Sequence, residues 1–409
     1  MGAVPARAGR ESAAGLAGMA GLAFGAAAMF AAMYATQAIL PVLGREFDVS
    51  PARSGLTISV LVIAVATGGW LWGPFSDHHG RKRSIVLASG LIVIPTIAAA
   101  LAPSFGLLLL CRGLQGLCMP GLLTVGVAYV AEVFAPRLGG RAMGYYVAAL
   151  VAGGLVGRVG VGLVTAAVGW RWAFAVLAVL PAVGAVVMQR LLPEAPPAAV
   201  SAGGRRAAIA GQLHNRRLIV PAAGASALFF TFVSVFSFVT FRLETAPFDY
   251  GTGVTSLIFL LWVMGAVGPL CGRLADRVGW RRLLAGALVL SLTGVALSLP
   301  DALPTLLVAM TCVITAMFAG VTAAQLGVAD VAATDRGIAI ALYFTVYYAA
   351  GALAGFLPGL AWEKWSWPGV AGLVAVVLGA GLAVVATAAR RAPVTAARDL
   401  PRPVDPPLV

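Results

Sequence analysis

The stretch GPFSDHHGRKR, residues 73–83, places one carboxylate, two histidines and three cations in a short segment of an otherwise apolar chain. A long apolar run ends just before it, at Trp70 and Trp72, and another apolar run begins directly after it. A short polar turn between two long apolar runs is typical of neighbouring helices that cross a membrane. We therefore expect residues 73–83 to join two membrane-spanning helices.

The composition supports a membrane protein. Hydrophobic residues make up 60% of the 409 residues and charged residues only 11%. A soluble protein of this size needs far more polar surface to cover its core. The net charge of +13 raises the question of a nucleic-acid partner. The cations lie in short clusters between apolar runs and form no basic stripe with interleaved aromatics, so we expect no nucleic-acid binding.

Apolar runs near the 20 residues that a spanning helix needs occur twelve times. In the first half of the chain we predict spans at 17–42, 53–76, 84–102, 106–131, 141–168 and 171–192. In the second half we predict spans at 218–242, 252–275, 283–299, 304–329, 337–361 and 367–389. The predicted organisation is a cytoplasmic N-terminal lead (1–16), a six-helix bundle (17–192) and a cytoplasmic linker (193–217). A second six-helix bundle (218–390) and a Pro-rich disordered tail (391–409) follow.

The distribution of cations predicts the orientation. If both termini are cytoplasmic, 21 of the 28 lysines and arginines lie on the cytoplasmic side and five lie outside. This excess predicts a multi-pass protein of the cytoplasmic membrane with both ends inside. The four cysteines lie in or at the ends of spans, where we expect apolar packing rather than disulfides or metal binding.

The turn at 73–83 has a counterpart in the second half. GRLADRVGWRR follows the eighth predicted span, and its motif residues match at a constant offset of 199. The matching pairs are Gly73 and Gly272, Asp77 and Asp276, Gly80 and Gly279, Lys82 and Arg281, and Arg83 and Arg282. Glu132 at the end of the fourth span likewise has Asp330 at the end of the tenth. Two parallel halves around a central cavity are a known transporter design.

These motifs resemble those of the major facilitator superfamily. G-x-x-x-D-x-x-G followed by three cations, between spans two and three, is that family's cytoplasmic loop motif, and R-x-x-Q-G appears as Arg112, Gln115 and Gly116. The resemblance covers all twelve spans. It implies an all-α membrane bundle that works by alternating access, as a monomer and not as an enzyme. No nucleophile–base set, phosphate loop or metal cluster is visible in the loops, so we expect no catalytic residue and no metal.

The resemblance also implies a conformational latch in the motif. Gly80 permits the tight turn, Arg81 is expected to reach Glu132, and Asp77 to face the positive N-terminal end of the eleventh helix. The latch set is Gly73, Asp77, Gly80, Arg81, Glu132, Gly272, Asp276 and Gly279. It would hold the outward-open state and break when the halves rock. The alternative is that Arg81, Lys82 and Arg83 only set the topology.

Two arginines fall inside predicted spans, Arg112 in the fourth and Arg158 in the fifth. An arginine near the centre of a span costs about 2.5–3.5 kcal/mol, so it normally faces a cavity or a partner. For Arg112 we favour a functional role over a structural tie to backbone carbonyls. For Arg158 both readings remain open.

Glycines in the fifth span carry a second resemblance. Gly144, Gly153, Gly157 and Gly162 have the spacing found in proton-coupled drug antiporters of the superfamily, although Arg158 stands where that motif has proline. The missing proline weakens assignment to that branch. The alternative reading of the glycines is close packing between helices.

None of the fifteen acidic residues lies deep in a span. A permanently cationic substrate is therefore disfavoured, and two buried guanidinium groups favour an anionic or polar neutral one. In a cavity of this family, the candidate substrate or coupling residues are Arg112, Gln115, Arg158, Tyr34, Gln37, Trp262, Gln325, Tyr343 and Tyr347. Each of the uncharged residues has interhelical packing as its alternative.

The sequence therefore predicts a secondary transporter in the lipid bilayer that exports a small organic molecule. The proton gradient is its expected energy source, without a cofactor. The alternative is uptake or facilitated transport of an organic anion, with Arg112 and Arg158 as an anion clamp. A membrane sensor that lost transport would need an output domain, and neither the termini nor the linker is expected to hold one.

Overall fold

The computed structural model describes residues 4–194, 211–212, 215–332 and 336–390. These residues form helices and short connections, and they contain no β-strand. The prediction of an all-α fold is confirmed. The predicted tail 391–409 and most of the predicted linker 193–217 lie outside the described residues.

The first half contains six long helices joined by short turns. They are α1 (Val4–Met33), α2 (Pro51–His79), α3 (Arg81–Ala100), α4 (Phe105–Phe134), α5 (Gly140–Val168) and α6 (Trp170–Leu191). Beyond Met33 the chain continues through a 3₁₀ segment, Ala35–Ile39, and a short helix, Leu40–Glu46. The four-residue helix Ala135–Leu138 lies between α4 and α5. Helix α1 begins at Val4, inside the segment 1–16 that we interpreted as a polar lead.

The second half opens with the 3₁₀ turn Arg216–Leu218 and contains α7 (Ile219–Leu243), α9 (Trp280–Leu297) and α10 (Leu303–Val331). Between α7 and α9 lies α8, which comprises Thr252–Ser256, a 3₁₀ segment Leu257–Val267 and Gly268–Val278. The stretch Arg336–Arg390 is broken at Trp365 and Ser366, whose backbone is not helical. We name its two parts α11 (336–364) and α12 (367–390).

Ten helices of the described chain are long and apolar enough to cross a membrane, and α8, bent by 52°, makes eleven. One of these ten, Gly337–Thr387, has 51 residues. At a rise of 1.5 Å per residue it would measure about 77 Å, more than twice the hydrocarbon thickness of about 30 Å. Its break divides it into two spans. The described residues thus account for twelve spans, as the sequence predicts.

The duplicated turns have the same backbone conformation. Gly80 ends α2 with φ of +88°, and Gly279 ends α8 with φ of +85°. Positive φ is open to glycine and strained for other residues, which explains why both repeats place glycine at this point. The internal repeat read from the sequence is therefore also present in the backbone.

The two halves meet at one end of the bundle. We call the end that carries residues 73–83 the motif end and the opposite end the far end. Near the far end, Gly55 and Ala52 of α2 lie against the backbone of Gly355 and Gly359 of α11, with no space for a Cβ between them. Ser59 Oγ donates to a carbonyl of α11 across the same seam at 2.5 Å.

Near the motif end, the described hydrogen bonds and ion pairs stay within one half or the other. Gly144, Gly272 and Gly337, each near that end of its helix, have no neighbouring atom that a Cβ would meet. The ion pairs described there stay within the first half: Arg81 with Asp77 and Glu132, and Lys82 with Glu194. The cleft between the halves therefore opens toward the motif end.

Candidate functional site

Arg81 links three helices of the first half at the motif end. Its Nη1 donates to Asp77 Oδ1 at 2.8 Å and to Ser76 Oγ at 2.6 Å, and both acceptors lie on α2. Its Nη2 donates to Glu132 Oε1 at 3.2 Å. Glu132 lies in a π-helical turn, Val130–Phe134, at the end of α4. The structure thus brings together three of the four charged residues of the predicted latch, and the fourth, Asp276, lies in the second half.

The second half repeats this arrangement with a different donor. Trp280 stands 199 positions after Arg81, and its Nε1 donates to Asp330 Oδ2 at 3.1 Å. Asp276, the counterpart of Asp77, is exposed, and Gly73 has open space around it, as Gly272 does. Residues 333–335, which precede α11, lie outside the described residues, so the expected contact of Asp77 with that helix end stays a prediction.

Arg112 is fully buried, and four of its hydrogen bonds are described. Its Nε donates to the Thr57 carbonyl at 3.2 Å, its Nη1 to the Ala32 carbonyl at 3.0 Å, and its Nη2 to the Met33 carbonyl at 2.6 Å. Nη1 also donates to Gln115 Oε1 at 2.7 Å. Ala32 and Met33 end α1, where helix carbonyls lack intrahelical partners and carry partial negative charge. The contacts of Arg112 are therefore those of a cap on a helix end inside the membrane.

Gln115 extends this network to a third helix. Its Nε2 donates to Thr96 Oγ1 on α3 at 2.9 Å, and Thr96 donates in turn to the Ile92 carbonyl at 2.6 Å. One residue further, a Cβ at Gly116 would collide with the Leu61 carbonyl of α2. The R-x-x-Q-G motif of α4 thus holds α1, α2 and α3 together.

Arg158 is also fully buried, but one of its nitrogens has no partner. Nε donates to Gln37 Oε1 at 2.7 Å, and Nη1 donates to the Gly154 carbonyl at 2.8 Å. Nη2 has no hydrogen-bond partner among the described residues. The guanidinium carbon lies 4.5 Å from the ring centroid of Tyr34 and 4.3 Å from that of Trp262. At these distances both rings stabilise the cation through cation–π attraction.

Two 3₁₀ segments, one from each half, present these side chains. Side chains three residues apart lie on the same face of a 3₁₀ helix. Phe259 and Trp262 are so related in α8, and both rings lie near Arg158, Phe259 at 5.7 Å. Tyr34 and Gln37 have the same spacing at the break after α1, and both contact Arg158. Arg158 is therefore enclosed from both halves.

Gln37 carries the connection into the second half. While its Oε1 accepts from Arg158, its Nε2 donates to Ser237 Oγ on α7 at 3.0 Å. Ser237 in turn donates to the Val233 carbonyl at 2.5 Å. A chain of hydrogen bonds thus joins α5, the segment after α1 and α7 at the plane where the halves meet.

Aromatic rings surround the Trp262 side of this site. Trp262 packs edge-on against Phe318 of α10 at 5.4 Å between centroids and lies 5.2 Å from Phe232 of α7. Phe30 of α1 lies 6.4 Å away. Trp262 is predicted from the sequence, whereas these three phenylalanines are not. Whether a phenylalanine faces Trp262 depends on the rotation of its helix, which the sequence does not show.

The remaining predicted residues lie closer to the motif end. Tyr343 and Tyr347 are buried on α11, and Tyr347 stacks on Phe229 of α7 at 3.9 Å. Gln325 is exposed on α10, seven residues after Phe318 and so on the same helix face. These residues extend the candidate site from Arg158 toward the opening of the cleft.

Three of the four predicted glycines on α5 are closely packed. A Cβ at Gly153 or Gly157 would collide with the α1 backbone at Ala27 or Ala31, and one at Gly162 would collide with Ser256 of α8. Gly144 lies in open space near the motif end. Close contact between helices is what small residues permit in a membrane.

The far end holds a contact that sequence reasoning missed. Arg45 Nη1 pairs with Glu244 Oε2 at 2.9 Å, and these residues stand 199 positions apart, which is the repeat offset. Thr252 donates to the same carboxylate at 2.7 Å. Glu363 Oε1 accepts from the backbone N–H of Ala52 at 3.1 Å, at the start of α2. The constant offset was the available signal for the Arg45–Glu244 pair.

Metal chemistry finds no support in this arrangement. Within the part of the chain that the structure describes, no group of three or more His, Cys, Asp or Glu side chains could hold a metal ion. The four cysteines are free thiols, two of them buried and two half-buried.

Comparison with known proteins identifies the family. The Major Facilitator Superfamily model matches residues 22–328 and again 250–407. The chain is 30% identical over 360 residues to the inner membrane transport protein YnfM of Escherichia coli, covering 86% of this chain and 85% of that protein. It is 26% identical to the uncharacterized MFS-type transporter YybF of Bacillus subtilis, over 85% of this chain and 87% of that protein. The chain also matches part of the α-ketoglutarate permease of Escherichia coli, with 28% identity over 234 residues. This match covers 52% of this chain and 54% of that protein.

Solved structures share the fold. A bacterial homologue of the lysosomal transporter Spinster, inward-facing and occupied, aligns over 91% of this chain and 96% of its own with a TM-score of 0.75 and 16% identity. The xylose transporter XylE of Escherichia coli, partially occluded and inward open, aligns over 93% and 98% with a TM-score of 0.71 and 16% identity. The family match, the duplicated bundle and the twelve spans lead to one conclusion: the chain belongs to the Major Facilitator Superfamily and is a multi-pass membrane transporter, not an enzyme.

Proposed function

We propose that this transporter exports a small organic molecule with an anionic or polar neutral head group in exchange for protons. One observation carries the proposal: Arg158 is fully buried where the halves meet, its guanidinium group contacts the Tyr34 and Trp262 rings, and its Nη2 has no partner within the described part of the chain. A buried cation with a free donor is suited to an anion or a hydrogen-bond acceptor. It disfavours a cationic substrate, which it would repel.

Alternating access supplies the mechanism. Most cations lie at the motif end, which the positive-inside rule places in the cytoplasm together with both termini. The conformation described, with the far end closed, is then inward-facing. A solute from the cytoplasm enters the cleft past Gln325 and Tyr343 and binds near Arg158. Rocking of the halves closes the motif end and opens the far end to the outside.

The charged residues at the motif end would act as a latch during this cycle. In the inward-facing state Arg81, Asp77 and Glu132 stay within the first half. When the motif end closes, the carboxylate of Asp77 meets the positively polarised N-terminus of α11 and stabilises the outward-open state. The proposed unit is a monomer in the cytoplasmic membrane that uses the proton gradient.

A second candidate function is uptake or facilitated transport of an organic anion. The similarity to an α-ketoglutarate permease over about half the chain favours it. In that reading Arg112 and Arg158 form an anion clamp. Because the described hydrogen bonds of Arg112 go to three carbonyls and to Gln115, Arg158 is the better placed of the two.

Proton movement driven by a solute gradient separates the two functions. The purified protein is reconstituted in liposomes that contain a pH-sensitive dye, and anionic, neutral and cationic amphiphiles are added outside in turn. Export by exchange predicts that protons move opposite to an anionic or neutral solute. Protons moving with the solute would contradict export and support uptake, and a response to cations alone would contradict both functions.

A further inference from the structure

Buried hydrogen-bond donors without partners occur in both halves near Arg158. Arg158 Nη2 on α5 and Trp262 Nε1 on α8 are both buried, and neither has a partner among the described residues. Buried polar groups in folded proteins are normally paired, so two unpaired donors on side chains that contact each other call for an explanation. A ligand that accepts from both donors provides one.

The described contacts of Arg158 occupy two of its three nitrogens. Nε and Nη1 already donate to Gln37 and Gly154, and the Tyr34 and Trp262 rings lie against the guanidinium. Of its three nitrogens, Nη2 alone has no partner among the described residues. The ring centroid of Trp262 lies 4.3 Å from the guanidinium carbon, so the indole Nε1 is also close to the guanidinium group.

We propose that Arg158 Nη2 and Trp262 Nε1 bind the carboxylate of a small aromatic monocarboxylate. This inference rests on the proposed transport function and specifies its substrate class. A carboxylate has two acceptor oxygens in one plane, so it can accept from both donors at once. Each half of the transporter supplies one donor, so the bound anion links α5 to α8 across the cleft.

The charges nearby select a monoanion. Arg158 supplies one positive charge, and the four described hydrogen bonds of Arg112, which is also fully buried, go to carbonyls and to Gln115. A second negative charge on the substrate would lie in a low-dielectric region without a free cation, which is unfavourable. A neutral analogue would leave the guanidinium charge unpaired, and a cationic analogue would be repelled by it.

The rings beside Trp262 favour an aromatic body. Phe232, Phe318 and Phe30 surround Trp262 at 5.2, 5.4 and 6.4 Å between centroids. Aromatic rings prefer edge-to-face and offset contacts with one another at such separations. A flat ring attached to the carboxylate can make these contacts while its head group reaches Arg158.

Equilibrium binding of tritiated 1-naphthoate to the full chain in detergent micelles tests this site. Wild type is expected to bind naphthoate at least tenfold more tightly than the uncharged 1-naphthamide or the dianion 1,8-naphthalate. Trp262→Phe keeps the ring and removes only the donor, and we expect binding about tenfold weaker. Arg158→Gln should weaken binding by about 100-fold. The control Trp365→Phe changes an exposed tryptophan at the far end and should bind as wild type.

The outcomes separate this site from the proposed function. Equal affinity of Trp262→Phe and wild type, or tighter binding of the dianion, would overturn the paired-donor site. Naphthoate binding with the expected variant pattern, in a chain that moves no solute, would support the site and contradict transport of this substrate class. Export of neutral solutes without naphthoate binding would overturn the site and leave export standing.

Discussion

At the residue scale, Arg112 and Arg158 are equally buried, yet their guanidinium groups have different partners. The donors of Arg112 bind carbonyls at the end of α1 and on α2. Arg158 has an Nη2 with no partner in the ranges that the structure describes, and it takes part of its stabilisation from two rings. A group kept in an unfavourable environment is typical of a functional site. From the sequence we favour a functional role for Arg112 and leave Arg158 open, and both remain predictions. On the described contacts we propose the functional role for Arg158.

Substitution of each arginine by methionine distinguishes the two roles. Arg112→Met should lower the free energy of unfolding by about 1–3 kcal/mol for each carbonyl left without a donor. Arg158→Met should lower the free energy of unfolding less, because it leaves two described acceptors without a donor where Arg112→Met leaves four. Methionine also fills a similar volume, and no buried charge remains unpaired. Thermal unfolding in detergent micelles, followed by circular dichroism, measures both. A lower unfolding temperature for Arg158→Met than for Arg112→Met would contradict this assignment.

At the element scale, the helices could be predicted from the sequence and their interruptions could not. Runs of apolar residues have the same appearance whether they fold as an α-helix or as a 3₁₀ helix. The predicted spans 17–42 and 252–275 gave no sign of the 3₁₀ segments Ala35–Ile39 and Leu257–Val267. Yet those segments bring Gln37 and Trp262 to Arg158. The residues of the site could be proposed from type and depth, whereas their convergence depends on backbone geometry.

The glycines of α5 offer a matched pair of substitutions at this scale. Gly157→Ala adds a Cβ that collides with the α1 backbone at Ala31, so it should separate α5 from α1 and lower the unfolding temperature by several degrees. Gly144→Ala meets open space and should leave stability unchanged or slightly raised. Thermal unfolding of both variants measures the difference. Equal loss of stability in both would contradict the described packing of α5.

At the scale of the whole molecule, the repeat explains how the far end closes. Arg45 and Glu244 occupy equivalent positions in the two halves, and they pair with each other. Positions related by an approximate two-fold axis meet where they lie close to that axis. A second bond crosses the seam nearby, from the Ala52 N–H to Glu363. In the proposed transport cycle, both contacts break when the far end opens.

The symmetry of the Arg45–Glu244 pair leads to a charge-swap prediction. Glu244→Gln alone removes this ion pair. Because Arg45 is largely exposed, the pair contributes little free energy, so the population of molecules with an open far end should rise only about two- to fivefold. Arg45→Glu with Glu244→Arg exchanges charges between equivalent positions and should restore the original population. The populations are measured from distances between spin labels by electron paramagnetic resonance. The labels are placed at Val168 and Leu299, which are both exposed near the far end. A double variant as open as Glu244→Gln would contradict pairing near the axis.

Counterflow in proteoliposomes tests most directly that this transporter works through Arg158. Vesicles are preloaded with an unlabelled aromatic carboxylate, and entry of the labelled solute is followed for wild type, Arg158→Met and Arg158→Lys, independently of proton coupling. Wild type should accumulate label transiently, Arg158→Met should not, and Arg158→Lys should keep a reduced response because the charge remains. Accumulation by Arg158→Met at the wild-type rate would show that substrate is bound elsewhere and contradict the account.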